Sequence, residues 1–120
     1  MKRFSTTWNA SKQPRKQRAY LLRVPLHIKS AMLKSHVDKK LRTKVKSRSL
    51  RVRRGDTVKI MRGAFKNKTG KVERIDIKTA RVYIAGIEKV KKDGSKIFLG
   101  VKPHILLITD VDITDKRRFA

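Results

Sequence analysis

The second half of the chain alternates apolar and polar residues with a period of two. In 57–61, Val58 and Ile60 fall on one side of the segment, which is typical of a half-buried strand. Similar segments follow at 70–77, 81–84, 87–92, 96–101 and 104–109. Five or six short strands so close together in sequence bury their edges by curling into a small barrel. The pattern predicts a mainly β domain over 49–113, with a core of Val58, Ile60, Val72, Ile75, Val82, Ile84 and the stretch Ile105 to Ile108.

Two local signals refine this strand pattern. Val72 and Ile75 lie out of step within the second segment, which predicts a bulge there. Asp93-Gly94 separates 87–92 from 96–101, and both central residues can adopt a positive φ. These two segments are therefore predicted to form a hairpin.

The apolar period changes to three and four residues between 27 and 48. The recurring residues are Ile28, Ala31, Met32, Val37, Leu41 and Val45. Ser35 and Asp38 have the spacing of a capping box, with Asp in the acidic position. The pattern predicts two short amphipathic basic helices that meet near Ser35. Helices of this length are marginal alone, so we expect them to dock on the β domain or on a partner.

Residues 1–26 show neither period, and they lack the apolar surface that would offset the entropy of ordering. We expect an extended basic arm that is disordered when free. Its aromatic Trp8 lies among cations, so it either stacks on a base or sugar edge or packs on the barrel. Residues 114–120 are predicted to form a short tail.

The charge is the strongest compositional signal. The chain has 34 Lys and Arg against 9 Asp and Glu, a formal net charge of +25 on 120 residues. Residues 1–50 hold 15 of the cations and a single acid, Asp38. Self-repulsion at this density opposes a compact isolated state, and a polyanion relieves it while counterions are released. Nucleic acid is the expected partner.

Other chemistry finds little support in the sequence. The acids are scattered, and none stands with a nucleophile at a recognisable spacing, so no catalytic residue is assigned. His27, His36 and His104 have no cysteine partners and no helical pairing, so no metal or other cofactor is expected. The absence of cysteine fits a reducing compartment, and no apolar run reaches membrane-spanning length. We expect an intracellular protein without a membrane partner.

A glycine-bounded basic loop is the most informative local motif. Gly55 allows the turn that enters the first strand, while Gly63 and Gly70 suit a positive φ or a close backbone approach at the two ends of the loop. The loop exposes Arg62, Lys66, Asn67, Lys68 and Lys71. Four cations and an amide in a glycine-flanked loop fit a phosphate backbone. An ordinary basic hairpin with Phe65 packed on the barrel is the alternative.

The residues from Arg54 to Val72 follow the order of a KOW motif, which they strongly resemble. Ser11–Arg18, Pro25–Ile28, Arg48–Arg53 and Val101–Asp110 are similar to the large-subunit ribosomal protein L twenty-four family. The resemblance covers nearly the whole chain. The long N-terminal arm favours the archaeal and eukaryotic branch, often called L twenty-six-e, and an ending at Ala120 without a long basic extension favours an archaeal source. His104 departs from the serine that is usual in eukaryotic members.

This resemblance implies a small SH3-like barrel that binds large-subunit rRNA near its 5′ region. It also implies an early role in assembly, a position near the polypeptide exit tunnel, neighbouring ribosomal proteins as partners, and a monomer within the cytoplasmic ribosome. The residues support phosphate-dominated RNA binding by three basic surfaces. The predicted rRNA-binding residues are Lys2, Arg3, Trp8, Lys12, Arg15, Lys16, Arg18, Lys29, Lys39, Arg42, Lys46, Arg62, Lys66, Asn67, Lys68 and Lys71.

A small basic barrel that compacts DNA as a chromatin protein is the alternative function, because net charge does not separate DNA from RNA. The N-terminal arm distinguishes the two. A barrel on a smooth duplex needs a smooth basic face, whereas a long arm with aromatic residues suits irregular RNA with splayed bases. The arm therefore favours rRNA.

Overall fold

A seven-stranded sheet forms the centre of the protein in a computed structural model that describes residues 4, 5, 7 and 11–119. Its strands are β1 (Lys34–Val37), β2 (Ser49–Arg51), β3 (Thr57–Ile60), β4 (Thr69–Asp76), β5 (Arg81–Val90), β6 (Lys96–Val101) and β7 (Leu106–Asp110). The helices are α1 (Pro14–Arg23), α2 (Leu26–Met32) and α3 (Lys39–Val45), with 3₁₀ helices at Pro103–Ile105 and Lys116–Phe119. The strand order is β2-β1-β7-β3-β4-β5-β6, in which β1 and β7 are parallel and the other pairs antiparallel.

The predicted mainly β class is confirmed, and the small domain is consistent with an SH3-like fold. The described residues form seven strands where five or six were expected, and the sheet is not closed, because β2 and β6 do not pair with each other. The two edges are protected separately. β2 is three residues long and β6 begins at Lys96, and short or lysine-bearing edge strands resist pairing with another chain.

β5 unites the segments 81–84 and 87–92, which the pattern predicts as separate strands. Gly86 has a φ of 80°, and the register with β6 shifts between Tyr83 and Glu88. The strand therefore bends at Gly86 and continues. The bulge predicted in β4 is confirmed, because its register with β5 shifts between Val72 and Arg74.

The predicted hairpin joins β5 to β6. Gly94 has a φ of 88°, and Lys91 N–H donates to the Ser95 carbonyl at 2.8 Å. Asp93 does not take a positive φ as predicted; its carboxylate instead accepts the Ser95 N–H at 3.0 Å and the Ser95 hydroxyl at 2.7 Å. The predicted position of the turn is confirmed. Hydrogen bonds to the Asp93 carboxylate stabilise it.

The two short helices predicted over 27–48 are present as α2 and α3, but strand β1 separates them. Ser35 and Val37 are buried and alternate with exposed residues, because β1 lies between β2 and β7. The predicted capping box is wrong: Ser35 Oγ donates to the Pro103 carbonyl at 2.7 Å, and Asp38 precedes α3 without a side-chain cap bond. α3 docks on the sheet through buried Leu41 and Val45, as expected.

The prediction of an extended arm is wrong for Pro14–Arg23, which form helix α1. Pro14 stands in the first turn, where its missing N–H costs no hydrogen bond, and the remaining residues are mostly good helix formers. No side chain of α1 is buried, whereas Val24 immediately after it is 5% exposed. The Phe4 ring packs against Tyr20 of α1, with 5.3 Å between the centroids. Disorder of the free arm stays a prediction.

All seven strands and α3 contribute side chains to one apolar core. The predicted core residues Val58, Ile60, Val72, Val82, Ile84, Leu106 and Ile108 are all buried, while Ile75, Ile105 and Leu107 are partly buried. Val37, Leu41 and Val45 join them from the preceding segment.

The C-terminal segment folds back onto the sheet and does not form the predicted tail. Lys116–Phe119 form a 3₁₀ helix in which Phe119 packs against the core. Arg118 pairs with Asp56 at the turn before β3, and both side chains are almost fully buried. The pair explains the position of this segment.

Candidate nucleic-acid interface

The loop between β3 and β4 is held in one conformation by backbone hydrogen bonds. Asn67, with a φ of 66°, donates its N–H to the Ile60 carbonyl at 2.8 Å, and Ile60 donates to the Lys68 carbonyl at 2.9 Å. Phe65 packs against the core beneath the loop, and the Lys68 ammonium lies 4.9 Å from the centroid of its ring. The loop therefore presents its polar side chains from a fixed base.

The predicted binding residues of this loop are all exposed, and we call them the loop surface. They are Arg62, Lys66, Asn67, Lys68 and Lys71. No acid occurs between Thr57 and Val72, so the four cations create an unbroken positive field. Such a surface can neutralise phosphates through flexible ammonium and guanidinium groups. The packing of Phe65 is what an ordinary basic hairpin predicts. It is equally compatible with a phosphate-binding loop, so it does not distinguish the two interpretations.

The motif glycines have the conformational roles that the sequence predicts. Gly55 and Gly63 have φ values of 95° and 96°. Gly70 lies within β4, where an added Cβ would approach the Ala85 carbonyl oxygen and Ile84 Cγ2 to 2.6 Å. Gly63 thus supplies a left-handed turn at one end of the loop, and Gly70 supplies close strand packing at the other.

A second basic surface lies on α3 and its C-terminal residue. Lys39 and Lys46 are exposed, and Lys46 ends the helix with a φ of 55°. Arg42 is partly buried and donates from Nε to the Val37 carbonyl at 3.0 Å, so part of its guanidinium has a structural function. Lys29 of α2 is also partly buried and donates to the Lys78 carbonyl at 3.3 Å. Lys29 and Arg42 are therefore less free than Lys39 and Lys46.

A third basic surface lies on α1 and the short segment before it. Lys12, Arg15, Lys16 and Arg18 are all exposed. The remaining predicted residues of the arm, Lys2, Arg3 and Trp8, lie outside the described residues. The helix carries no acid, so the charge of its cations is not offset within α1.

Several carboxylates of the described residues form ion pairs or hydrogen bonds within the protein. Asp56 and Asp115 form ion pairs with Arg118 and Arg53. Hydrogen bonding lowers the pKa of Asp115, chiefly through Arg53, and the pKa of Asp93, chiefly through Ser95. The predicted rRNA-binding cations that are described form no ion pair with a carboxylate. Their charge is available to a ligand.

The structure also brings together residues that the sequence analysis does not select. Arg54, Arg74, Tyr83 and Phe98 line one groove with Lys71. The alternation in β5, combined with the hairpin register, is the signal that places Tyr83 and Phe98 on the same outer face of the sheet.

The described residues offer neither a metal-ligating cluster nor a helix of membrane-spanning length. These residues contain no group of three or more His, Asp or Glu side chains arranged to hold a metal ion. Within the same residues, no helix is long and apolar enough to cross a membrane.

The fold and its exposed cations define a small, highly basic β-sheet protein with a glycine-bounded loop. Comparison with known proteins specifies the class. Residues 11–120 match the family model that describes the eukaryotic ribosomal proteins L twenty-six and their archaeal counterparts, L twenty-four-P. The chain is also 42% identical over 108 residues to large ribosomal subunit protein uL24 of Methanosphaera stadtmanae, covering 90% of this chain and 92% of that protein.

The protein belongs to this family of ribosomal proteins. The predicted family is confirmed, and the expected location on the cytoplasmic ribosome agrees with it. The match favours the ribosomal interpretation over the chromatin alternative.

Proposed function

We propose that this protein is a structural constituent of the large ribosomal subunit that binds large-subunit rRNA. The observation that carries the proposal is the family match across 11–120, together with a relative named as a large-subunit protein. The role is architectural and requires no catalytic group or cofactor. Binding near the 5′ region of the rRNA, early in assembly and close to the exit tunnel, follows from the family resemblance and completes the proposal.

The three basic surfaces provide the contacts. The loop surface approaches phosphates from the sheet, Lys39 and Lys46 do so from α3, and the α1 cations extend the contact beyond the sheet. Each phosphate neutralised releases counterions, so affinity should fall with salt by a log-log slope of about 0.7 to 0.9 per contact. The protein acts as a monomer among neighbouring ribosomal proteins.

Sedimentation tests the assembly role. Cell extract is separated on a sucrose gradient and washed at high salt, with the protein detected by antibody. We expect it to co-migrate with the large subunit and to persist after the wash. Co-migration with nucleoid DNA would instead support a chromatin function.

Charge reversal tests the loop surface. Lys66→Glu with Lys68→Glu should weaken binding to a large-subunit rRNA transcript and reduce the salt slope, because the two ammonium groups no longer neutralise phosphates. Lys91→Glu with Lys92→Glu is the matched control, since it makes the same charge change at the exposed tip of the β5–β6 hairpin. Equal loss of affinity in both variants would mean that only net charge matters.

A further inference from the structure

A groove of about 950 Å³ runs over the outer face of β4, β5 and β6. The turn before β3 forms its side. Its lining includes Arg54, Lys71, Arg74, Tyr83, Ala85 and Phe98. None of these except Lys71 belongs to the surfaces described above, so the groove is a separate feature of the molecule.

Strand register shapes the floor of the groove. Tyr83 pairs with Gly100 on β6 and with Arg74 on β4. A Cβ on Gly100 would lie 3.4 Å from Tyr83 Cε1 and 2.8 Å from Arg81 Cδ. Because Gly100 has no side chain, the Tyr83 ring can lie against β6. The small side chain of Ala85 leaves the groove open beside the Tyr83 ring.

Phe98 supplies a second aromatic surface. It lies two residues before Gly100 on β6, and its side chain shares the groove with Tyr83. Phe98 is 49% exposed, so half of a large apolar side chain is left in contact with water. Two aromatic side chains on neighbouring strands are a platform on which a planar base can stack.

Cations surround this aromatic platform. The guanidinium carbon of Arg74 lies 5.1 Å from the centroid of the Tyr83 ring, which holds both groups in place. Arg54 and Lys71 stand at the side formed by the turn. Glu73 is the one acid in the lining, and its carboxylate is an acceptor for a sugar hydroxyl.

We propose that this groove binds an unpaired nucleotide of RNA. The base stacks on the exposed ring of Phe98, beside the Arg74–Tyr83 pair, and the adjoining phosphate contacts Arg54 and Lys71. The combination of aromatic rings with three cations favours a nucleotide over an apolar protein segment, which would leave the cations without partners. The inference rests on the proposed function, since it assumes that RNA is the ligand of the protein.

Substitution of Phe98 in the full chain tests stacking separately from charge. The probe is a large-subunit rRNA transcript, and the dissociation constant is measured over a range of salt concentrations. Phe98→Ala should weaken binding about 5- to 100-fold, as removal of one base–aromatic stack does. The salt slope should stay the same, because every phosphate contact remains. Arg54→Gln with Lys71→Gln should instead reduce that slope.

Two further variants isolate the ring. Phe98→Trp should keep wild-type affinity, whereas Phe98→Leu, which keeps apolar area without an aromatic face, should behave like Phe98→Ala. Ile97→Ala is the matched control, because Ile97 is 41% exposed on the same strand but does not line the groove. It should leave affinity unchanged. Thermal midpoints establish that each variant is folded, and Phe98→Leu replaces Phe98→Ala if the latter unfolds.

The outcomes separate this inference from the proposed function. Wild-type protein that fails to bind the transcript would overturn the proposed function itself. Normal wild-type binding, weakened by Lys66→Glu with Lys68→Glu but not by Phe98→Ala, would overturn only the nucleotide site. Wild-type affinity in Phe98→Leu would also overturn it. Photo-crosslinking of the 96–101 segment to a neighbouring protein instead of rRNA in assembled subunits would overturn it in favour of a protein contact.

Discussion

Arg118 and Asp56 form a buried ion pair whose side chains are 4% and 2% exposed. Arg118 Nη1 donates to Asp56 Oδ1 at 2.7 Å, and a second guanidinium nitrogen contacts the other carboxylate oxygen. Asp56 also accepts the Arg53 N–H at 2.9 Å. The pair joins the C-terminal segment to the turn before β3. Removing one partner leaves the other charge buried, which costs more free energy than the intact pair contributes.

Arg118→Met should therefore lower the free energy of unfolding by about 3 kcal/mol, measured by urea denaturation. Arg117→Met is the control, because Arg117 is an exposed neighbour in the same 3₁₀ helix. We expect this control to unfold like the wild type. A similar small decrease in both variants would contradict a structural role for the buried pair.

The hydrogen bonds of Asp76 make the stability of the turn between β4 and β5 depend on pH in the acid range. The Thr79 hydroxyl donates to Asp76 at 2.8 Å and lowers the pKa of Asp76 below its ordinary value of 3.8. The backbone N–H groups of Thr79 and Lys78 act in the same direction. Because the folded pKa is depressed, this stabilisation is present above the ordinary pKa and is lost as pH falls through the folded pKa.

Thr79→Val should raise the Asp76 pKa toward 3.8, as followed by NMR titration of its carboxyl carbon. Asp76→Asn should be less stable than wild type near neutral pH, and the difference should shrink as pH falls below 3.8. An unchanged Asp76 titration in Thr79→Val would show that the hydroxyl is not the main cause.

At the scale of elements, α1 differs from the rest of the molecule because it buries no side chain. Its stability has little help from the core, and its cations are directed to solvent or to a partner. The first side chain after it that belongs to the folded domain is Val24, which is buried. The boundary between a dispensable and a required segment therefore falls between Arg23 and Val24.

Deletion of 1–23 removes seven Lys and Arg residues and no acid. The sheet should fold as before, while rRNA affinity falls and the log-log salt slope decreases by about 0.7 to 0.9 for each phosphate that is no longer neutralised. Filter binding at several salt concentrations measures both quantities. A triple variant of the full chain removes three charges of α1 but keeps the segment, so it measures how much of the affinity loss is due to charge. Its substitutions are Arg15→Gln, Lys16→Gln and Arg18→Gln. An unchanged slope in both proteins would exclude α1 from the interface.

Element prediction succeeded where the apolar pattern was local and unambiguous. Val58 and Ile60 alternate strictly, and β3 occupies that segment. The failure at β1 has a physical cause: Val37, Leu41 and Val45 have helical spacing, yet Val37 is buried by the parallel pairing of β1 with β7. Tertiary pairing decided the conformation there. α1 was missed because its few apolar residues show no periodic face, whereas its helix propensity is good.

The whole molecule is a flat, strongly charged body. Its principal extents are 45 × 40 × 23 Å and its radius of gyration is 16.1 Å, compared with about 14 Å for a compact chain of this length. Flatness exposes much surface for contact, and the net charge of +25 opposes compaction. Both properties suit a protein whose folded state is completed by a polyanion.

Salt should therefore stabilise the isolated protein. The thermal midpoint should rise between about 0.05 and about 0.5 M sodium chloride, because a shorter Debye length screens the repulsion among the cations. Circular dichroism at about 222 nm or calorimetry measures the midpoint. The 1–23 deletion, which carries less positive charge, should show a smaller rise. A midpoint that falls with salt would mean that attractive ion pairs outweigh the repulsion.

The sequence by itself predicted most strand segments of the second half, the glycine-bounded loop and the strong positive charge, because alternation, turn chemistry and charge are local properties. The tertiary structure decided which distant segments meet. Arg118 and Asp56 stand 62 residues apart, and the groove joins Arg54, Arg74, Tyr83 and Phe98 from different elements. Such contacts depend on strand order and register, which are set by competing ways of burying the same apolar residues. The residues of a single segment therefore do not specify its strand order or its register.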